Sequence, residues 1–166
     1  AGSVNLTFTN VGSDVDFRLD DGASSATAFS GALSIDLASS GGTSDSVDVY
    51  LSEVGSSTSA TLTGSNIETL NLRGGSEWDV ATLTVSGFAA EKIDVDGTDD
   101  GTGPDSPSAL TLGTLNSNTT EVDASGFNAT VTATAASGTA TTFRSNVEAS
   151  DFTGDSGKDT FFLGDS

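Results

Sequence analysis

A turn rich in glycine and aspartate, near the carboxyl end of the chain, has the residue types of a calcium site. Gly154 and Gly157 are expected to adopt backbone angles that other residues avoid, which would bring carbonyl oxygens close to an ion. Asp155 and Asp159 supply carboxylates, and Asp165 completes a second Gly-Asp pair, which begins at Gly164. Ca²⁺ takes roughly six to eight oxygen ligands of this kind. The spacing predicts a calcium-binding turn, and the alternative is an ordinary Gly/Asp turn before a hairpin strand.

Three other acidic groups are candidate calcium sites. The densest lies in a glycine-rich loop that superficially resembles an EF-hand loop, but it has no Glu at the twelfth position and no flanking helices. It is either an irregular calcium loop or a solvated acidic loop. The second group follows a Gly-Gly pair, and the third closes a predicted strand. The candidate ligands are Asp94, Asp96, Asp99, Asp100 and Asp105 in the loop, Glu77 and Asp79 after the glycine pair, and Asp20 and Asp21 after the strand.

The residue types that are missing exclude several kinds of chemistry. The chain has no cysteine and no histidine, which excludes disulfides, thiol chemistry, Ser-His-Asp catalysis and His-rich zinc or iron sites. We therefore predict that the chain is not an enzyme, and we expect its candidate bases Arg73 and Arg144 to pair with neighbouring carboxylates. No long apolar run is present, so we expect no membrane insertion.

The charge of the chain is strongly one-sided. It has 24 acidic residues against 5 basic ones, a formal net charge of −19. This charge excludes nucleic acid as a partner, because phosphate binding needs a basic surface. A folded chain with so much like charge repels itself unless cations intervene, and a divalent metal is the obvious cation.

Short strands must position the candidate ligands. Apolar residues alternate at two-residue spacing over residues 4–8, 15–19, 33–37 and 47–51, which is the pattern of half-buried strands. After the glycine-rich turn, Phe161 and Leu163 alternate in the same way, so we expect both side chains in the core.

An internal repeat determines the fold prediction. Residues 60–74, 81–97, 109–126 and 130–154 each contain a short strand, a polar bend and a second short strand, at a spacing of about twenty to thirty residues. Such units must stack on their neighbours to bury their apolar faces, with Thr and Ser in outward ladders. We predict an all-β, largely parallel β-solenoid over residues 60–166. Residues 1–59 are either an irregular cap of hairpins or the first turns of the solenoid.

Two short motifs resemble known families. Residues 154–162 resemble the RTX calcium-binding nonapeptide Gly-Gly-x-Gly-x-Asp-x-apolar-x, with Asp155 in place of the second glycine. Residues 66–72, Asn-Ile-Glu-Thr-Leu-Asn-Leu, resemble segments of the surface-layer proteins of Gram-negative bacteria and of the related RTX adhesins. The resemblance implies a parallel β-roll with Ca²⁺ in its glycine-rich turns, type I secretion, and folding and assembly outside the cell.

The expected function is therefore structural. We expect a Ca²⁺-binding module of a secreted surface-layer protein at the cell surface, which assembles with copies of itself and has cell-surface polysaccharide as a further candidate partner. Two alternatives stay open. The first is a carbohydrate- or host-binding module of a large RTX adhesin or phage fibre, and the second is the calcium-dependent secretion tail of an exported hydrolase.

Overall fold

The computed structural model describes residues 4–12, 15–19, 30–38, 44–51, 58–74, 80–97, 109–127, 129–145 and 150–164. These residues form fourteen β-strands and no helix. The strands are β1 (Val4–Val11), β2 (Asp16–Leu19), β3 (Ser30–Leu37), β4 (Ser46–Leu51), β5 (Thr58–Ser65), β6 (Thr69–Gly74), β7 (Val80–Phe88), β8 (Lys92–Gly97), β9 (Ala109–Thr114), β10 (Glu121–Phe127), β11 (Thr130–Thr134), β12 (Thr142–Arg144), β13 (Asp151–Thr153) and β14 (Thr160–Phe162).

The strands alternate between two parallel sheets. The odd-numbered strands form one seven-stranded sheet in chain order, and the even-numbered strands form the other. Each odd strand and the even strand that follows it make one coil, so the described strands build seven stacked coils. The predicted all-β, parallel solenoid is therefore confirmed. The described strands before residue 52, β1 to β4, belong to the same two sheets: β3 pairs in parallel with β5, and β4 with β6.

The core is one layer of side chains between the two sheets. Inward-facing residues of successive coils lie above one another because neighbouring strands are parallel and pair residue by residue, although four of the strand pairs contain a register shift. In the even sheet, one such column consists of Val47, Leu70, Ile93, Val122 and Phe143, all at most 1% exposed. Each coil buries its apolar face only against its neighbours, so its stability depends on the coils before and after it.

Threonines have two different places in the stack. Thr82, Thr111 and Thr132 pair across β7, β9 and β11 on the outer face, which is one of the predicted ladders. Thr119 and Thr141 instead lie buried beside the bends, where their hydroxyls donate to carbonyl oxygens of the preceding coil at 2.8 and 3.3 Å. These hydroxyls hold successive bends in register because a buried hydroxyl needs a hydrogen-bond partner.

The last coil departs from the sequence prediction. Phe161 continues the column above Phe143, and its ring stacks on the Phe143 ring with centroids 5.3 Å apart. Phe161 is nevertheless 44% exposed and Leu163 is 81% exposed. The expectation that both are buried was wrong, because no described coil covers them.

Candidate functional site

The predicted calcium turn joins β13 to β14 and is attached to the coil before it. Asp159 lies at its centre: one carboxylate oxygen, Oδ1, accepts the Thr141 amide at 3.0 Å, and the other, Oδ2, accepts the Asp155 amide at 2.9 Å. Asp155 in turn accepts the amide of Ser156 through Oδ1 at 2.5 Å. The carboxylate of Asp159 therefore fixes both the shape of its own turn and the position of that turn on the preceding coil.

Space requires a glycine at position 157, where backbone is in the way, and at position 154 a side chain would displace the Asp159 carboxylate. A Cβ at Gly154 would lie 2.6 Å from Asp159 Oδ2, and a Cβ at Gly157 would lie 2.1 Å from the Thr139 carbonyl oxygen. Neither glycine has a positive φ; the described glycines that do are Gly113 and Gly138. The expectation of special backbone angles at Gly154 and Gly157 was therefore wrong. They are glycines because the turn packs too closely on its surroundings for a side chain.

The turn meets part of the requirement for a calcium site. Each carboxylate oxygen has two lone pairs, so Asp159 keeps an acceptor position on each oxygen after its two hydrogen bonds. Within the described residues, however, no group of three or more acidic, histidine or cysteine side chains comes together to hold a metal. A Ca²⁺ ion bound to Asp155 or Asp159 would need most of its oxygens from backbone carbonyls, water or residues outside the described ranges.

Asp94 and Asp96, the described members of the acidic loop, lie on strand β8. Both contact Arg73 of the coil below, whose Nη1 is 2.9 Å from Asp94 Oδ2 and 3.6 Å from Asp96 Oδ2. The Nε of the same guanidinium is 3.4 Å from Asp48 Oδ1, one coil further down. A guanidinium thus lies between these carboxylates, where a metal ion would otherwise neutralise them.

The ion pairs continue up the same face of the stack. Lys92 Nζ lies 3.5 Å from Asp94 Oδ1, 3.4 Å from Glu121 Oε1 and 3.6 Å from Asp123 Oδ2. Arg144 Nε reaches the last two carboxylates, at 3.7 and 4.0 Å. The expected pairing of Arg73 and Arg144 with neighbouring carboxylates is confirmed. We call this set of eight residues the charge ladder: Asp48, Arg73, Lys92, Asp94, Asp96, Glu121, Asp123 and Arg144.

Two pKa shifts follow from the charge ladder. Partial burial lowers the pKa of Lys92, but the negative charges of its three carboxylate partners outweigh burial and raise that pKa above its usual value. Partial burial raises the pKa of Asp123, but hydrogen bonds from Ser125 and the charges of Lys92 and Arg144 outweigh it. The pKa of Asp123 is therefore below its usual range. Ser125 donates through both its amide and its hydroxyl, at 3.1 and 2.6 Å from Asp123 Oδ1.

The other predicted metal ligands lie outside the described residues, and their role as ligands stays a prediction. They are Asp20, Asp21, Glu77, Asp79, Asp99, Asp100, Asp105 and Asp165.

Sequence reasoning missed a polar groove along the bends. An open groove of about 650 Å³ runs past the bends that precede β6, β8 and β10. Glu68, Glu91 and Thr120 line it, and each is the residue just before one of these strands. Asn66, which has a φ of 61°, and Asn118 also line it. A sequence alignment of the repeats on the start of their second strand, and not of their first, would have placed Glu68, Glu91 and Thr120 at the same alignment position.

The described residues contain no helix of the length and apolarity needed to cross a membrane.

Comparisons with known proteins identify no relative of this chain. The chain matches no protein-family model, no curated protein and no solved structure.

Proposed function

We propose that the chain is a structural, calcium-binding module of a secreted bacterial surface-layer protein, which folds and self-assembles outside the cell. The observation that carries the proposal is the unequal neutralisation of charge on the stack. Five of the 24 acidic residues and three of the five basic residues belong to the charge ladder. Only Arg18 and Lys158 remain as cations for all other carboxylates.

Stacking makes this excess of acid costly. Neighbouring strands in a sheet lie about 4.8 Å apart, so like charges on successive coils are near neighbours. Two like charges about 4 Å apart repel by about 1 kcal/mol even in bulk water. Cations from the solvent relieve that repulsion. One divalent ion at a turn neutralises as much negative charge as two monovalent ions. Calcium at extracellular concentration is the cation that fits oxygen-rich turns.

The turn at residues 154–159 is the best-supported position for such an ion. Its carboxylate Asp159 is held by two amides and keeps acceptor capacity, and Gly157 lets the turn approach the preceding coil closely. The resemblance to the RTX nonapeptide supports the same position. The chain has no histidine and no cysteine, which supports a structural role over Ser-His-Asp or thiol catalysis.

A calcium titration tests the proposal. Protein stripped with a chelator receives Ca²⁺ or Mg²⁺ while its melting temperature and circular dichroism are recorded. We expect the melting temperature to rise with Ca²⁺ at about 1 mM, the range of extracellular modules, and to respond much less to Mg²⁺. An equal response to both ions, or none, would reject specific calcium binding.

Paired variants locate the ion. The Asp159→Asn variant removes the negative charge from the turn, and the matched control Asp151→Asn removes one from the outer face of β13 in the same coil. We expect the calcium-induced rise of the melting temperature, measured against each variant's own metal-free value, to fall only in Asp159→Asn. A fall in both would mean that calcium screens the whole surface and binds no particular turn.

The groove favours a second candidate function, binding of a cell-surface polysaccharide. Its amide, hydroxyl and carboxylate groups are suited to sugar hydroxyls. Calorimetric titration with neutral polysaccharides, comparing the parent protein with Asn118→Ala and with Thr82→Ala on the outer face of β7, would test it. Weaker binding in Asn118→Ala alone supports this candidate; no heat of binding with any polysaccharide rejects it.

A further inference from the structure

The polar groove lies on the side of the stack, with coils present both before and after it. Its lining comes from three successive coils, which contain β5 with β6, β7 with β8, and β9 with β10. The coil of β3 and β4 precedes these three, and the coil of β11 and β12 follows them. The groove is therefore a property of the stacked coils and not of either end of the stack.

The lengths of the bends explain why a groove forms here. Residues 66–68 and 89–91 join their strands through three residues each, whereas residues 115–120 join β9 to β10 through six. The longer bend has room to extend past the two short ones, and its Ser117 and Asn118 are exposed and line the groove. The resulting volume of about 650 Å³ is within the range of roughly 300–1,000 Å³ that is typical of ligand sites.

The longer bend is held in place by Asn116. The Nδ2 of Asn116 donates to the Ser86 carbonyl oxygen on the preceding coil at 2.7 Å, and its Oδ1 accepts the amide of Asn118 at 3.0 Å. The buried hydroxyl of Thr119 adds a link to the Ala90 carbonyl oxygen at 2.8 Å. This wall of the groove is thus fixed before any ligand binds, which lowers the entropy cost of binding.

Polar side chains recur once per coil along the groove. Glu68, Glu91 and Thr120 hold the same position, directly before the second strand of their coils. Backbone hydrogen bonds stack these positions. The Lys92 amide donates to the Glu68 carbonyl oxygen at 2.9 Å, and the Thr120 amide donates to the Glu91 carbonyl oxygen at 2.8 Å. Neighbouring strands of a sheet are about 4.8 Å apart, so hydrogen-bonding side chains follow one another at about that interval.

This interval selects the kind of polymer that can follow the groove. In an extended polysaccharide with equatorial β-1,4 links, each sugar advances the chain by close to the distance between neighbouring coils, so one sugar can meet each coil. An extended peptide advances by about 3.3 Å per residue and falls out of step with the coils. A polysaccharide with axial links curls and does the same.

The charge of the groove disfavours an acidic polymer. Among the described residues that line it, Glu68 and Glu91 are acidic and none is basic. The Oε2 atom of Glu68 accepts the amide of Asp45 at 2.8 Å, which fixes that side chain, and Oε1 remains an acceptor. Carboxylates accept strong, charge-assisted hydrogen bonds from hydroxyl groups, so they suit the many hydroxyls of an uncharged sugar.

We propose that the groove binds an unbranched, uncharged, β-1,4-linked polysaccharide lengthwise, with one sugar on each of three coils. The inference rests on the second candidate function, polysaccharide binding, and names the class of polysaccharide and its direction along the stack. Each coil adds its own hydrogen bonds, so affinity grows with the number of sugars until the three coils are filled.

A series of oligosaccharides tests the proposal. The probes are β-1,4-linked oligomers of glucose and of N-acetylglucosamine, from one to six sugars, titrated into the protein while its NMR chemical shifts are recorded. Two matched series serve as controls. The α-1,4-linked glucose oligomers have the same hydroxyl groups on a curled chain, and the β-1,4-linked mannuronate oligomers have an extended chain with carboxylates.

We expect the association constant of at least one uncharged β-1,4-linked series to rise about ten-fold with each added sugar up to three. Beyond three sugars it should rise by less than about two-fold, because the groove spans three coils. Both control series should bind at least about ten-fold more weakly than the β-1,4-linked trimer.

Paired variants locate the bound chain. Ala89→Gln places a longer side chain in the part of the groove formed by the middle coil. Thr82→Gln, the matched control, places the same side chain on the outer face of β7 in that coil. Both variants are checked for folding by circular dichroism. We expect Ala89→Gln to abolish the gain in affinity from one sugar to three, and Thr82→Gln to keep it.

Several results would overturn the proposal. Equal affinity for one sugar and for three, or equal binding of the α-linked series, shows that the ligand does not follow the coils. Equal loss in Thr82→Gln shows that it does not lie in the groove. Binding of other neutral polysaccharides but of neither β-1,4-linked series rejects this inference alone, whereas no binding of any polysaccharide rejects the second candidate function as well. The calcium-induced melting shift, recorded without oligosaccharide, tests calcium binding separately.

Discussion

Replacing Gly157 by alanine should loosen the last coil specifically. The added Cβ would lie 2.1 Å from the carbonyl oxygen of Thr139 and 2.9 Å from the amide nitrogen of Ala140. Ordinary van der Waals contact begins near 3.4 Å. The obstacle is backbone and not the end of a flexible side chain, so the two turns must move apart by more than an ångström.

The size of the effect follows from what that movement disrupts. The Thr141 amide lies 3.0 Å from Asp159 Oδ1, and the Thr160 amide lies 2.9 Å from the Thr141 carbonyl oxygen. Overpacking costs about 1–3 kcal/mol, and a weakened hydrogen bond costs about 1 kcal/mol. We expect the last coil to lose about 2–4 kcal/mol of stability against local opening.

Amide hydrogen exchange by NMR measures this loss where it occurs. The amides of Thr141 and Thr160 should exchange about thirty-fold to several hundred-fold faster in Gly157→Ala, since about 1.4 kcal/mol is a factor of ten. The amide of Leu72, several coils away, should change little because each coil contacts only its neighbours.

The control is Gly12→Ala, since a Cβ at Gly12 has no atom within 4 Å and its φ is not positive. This variant should stay within about 0.5 kcal/mol of the parent. If Gly157→Ala is no more destabilising than Gly12→Ala, the close packing of the turn does not explain the glycine, and the reasoning above fails.

Three further predictions concern the core and the charge ladder. Phe143→Ala should lower the free energy of unfolding in urea by about 3–5 kcal/mol, because the ring is fully buried and stacks on Phe152. Lys92→Gln should raise the pKa of Asp123, measured by NMR titration. The lowered pKa of Asp123 stabilises the fold above about pH 4, and this contribution is lost as pH falls through the folded-state pKa. Because Lys92→Gln has less of this contribution, its free energy of unfolding should fall less on acidification than that of the parent protein. Arg73→Met should cost about 1 kcal/mol, and less at high salt, because three carboxylates on neighbouring coils lose their shared cation.

Each of these three has a control and a result that contradicts it. Phe143→Leu should cost clearly less than the alanine change, and equal costs would mean that ring packing is unimportant. Lys158→Gln should leave the pKa of Asp123 unchanged, since Lys158 lies in the last turn and belongs to no ion pair with Asp123 among the described residues. Arg73→Lys should restore part of the loss, and a loss independent of salt would exclude an electrostatic cause.

The spacing of residues predicted much of the candidate site, but it did not predict which contacts require those residues. Gly154, Gly157 and Asp159 follow a pattern that marks a turn, and the structure places them in one turn between two strands. The pattern does not reveal that Thr139 and Thr141 of the preceding coil are what the glycine and the carboxylate contact, because those residues are about eighteen positions earlier. Asp94 and Asp96 were predicted to be metal ligands in a loop because the sequence does not show their partner. That partner, Arg73, is on another coil and neutralises them.

The sequence by itself determined the architecture of this protein. Period-two alternation within strands and a repeat of roughly constant length can be satisfied together only by stacking short parallel strands, so local pattern was enough to predict the solenoid. Only the tertiary structure decided which side chains meet from coil to coil and which have no described coil over them. Phe161 and Leu163 have the pattern of a buried face, yet they are exposed, because burial in a stack depends on the next coil and not on the residue itself.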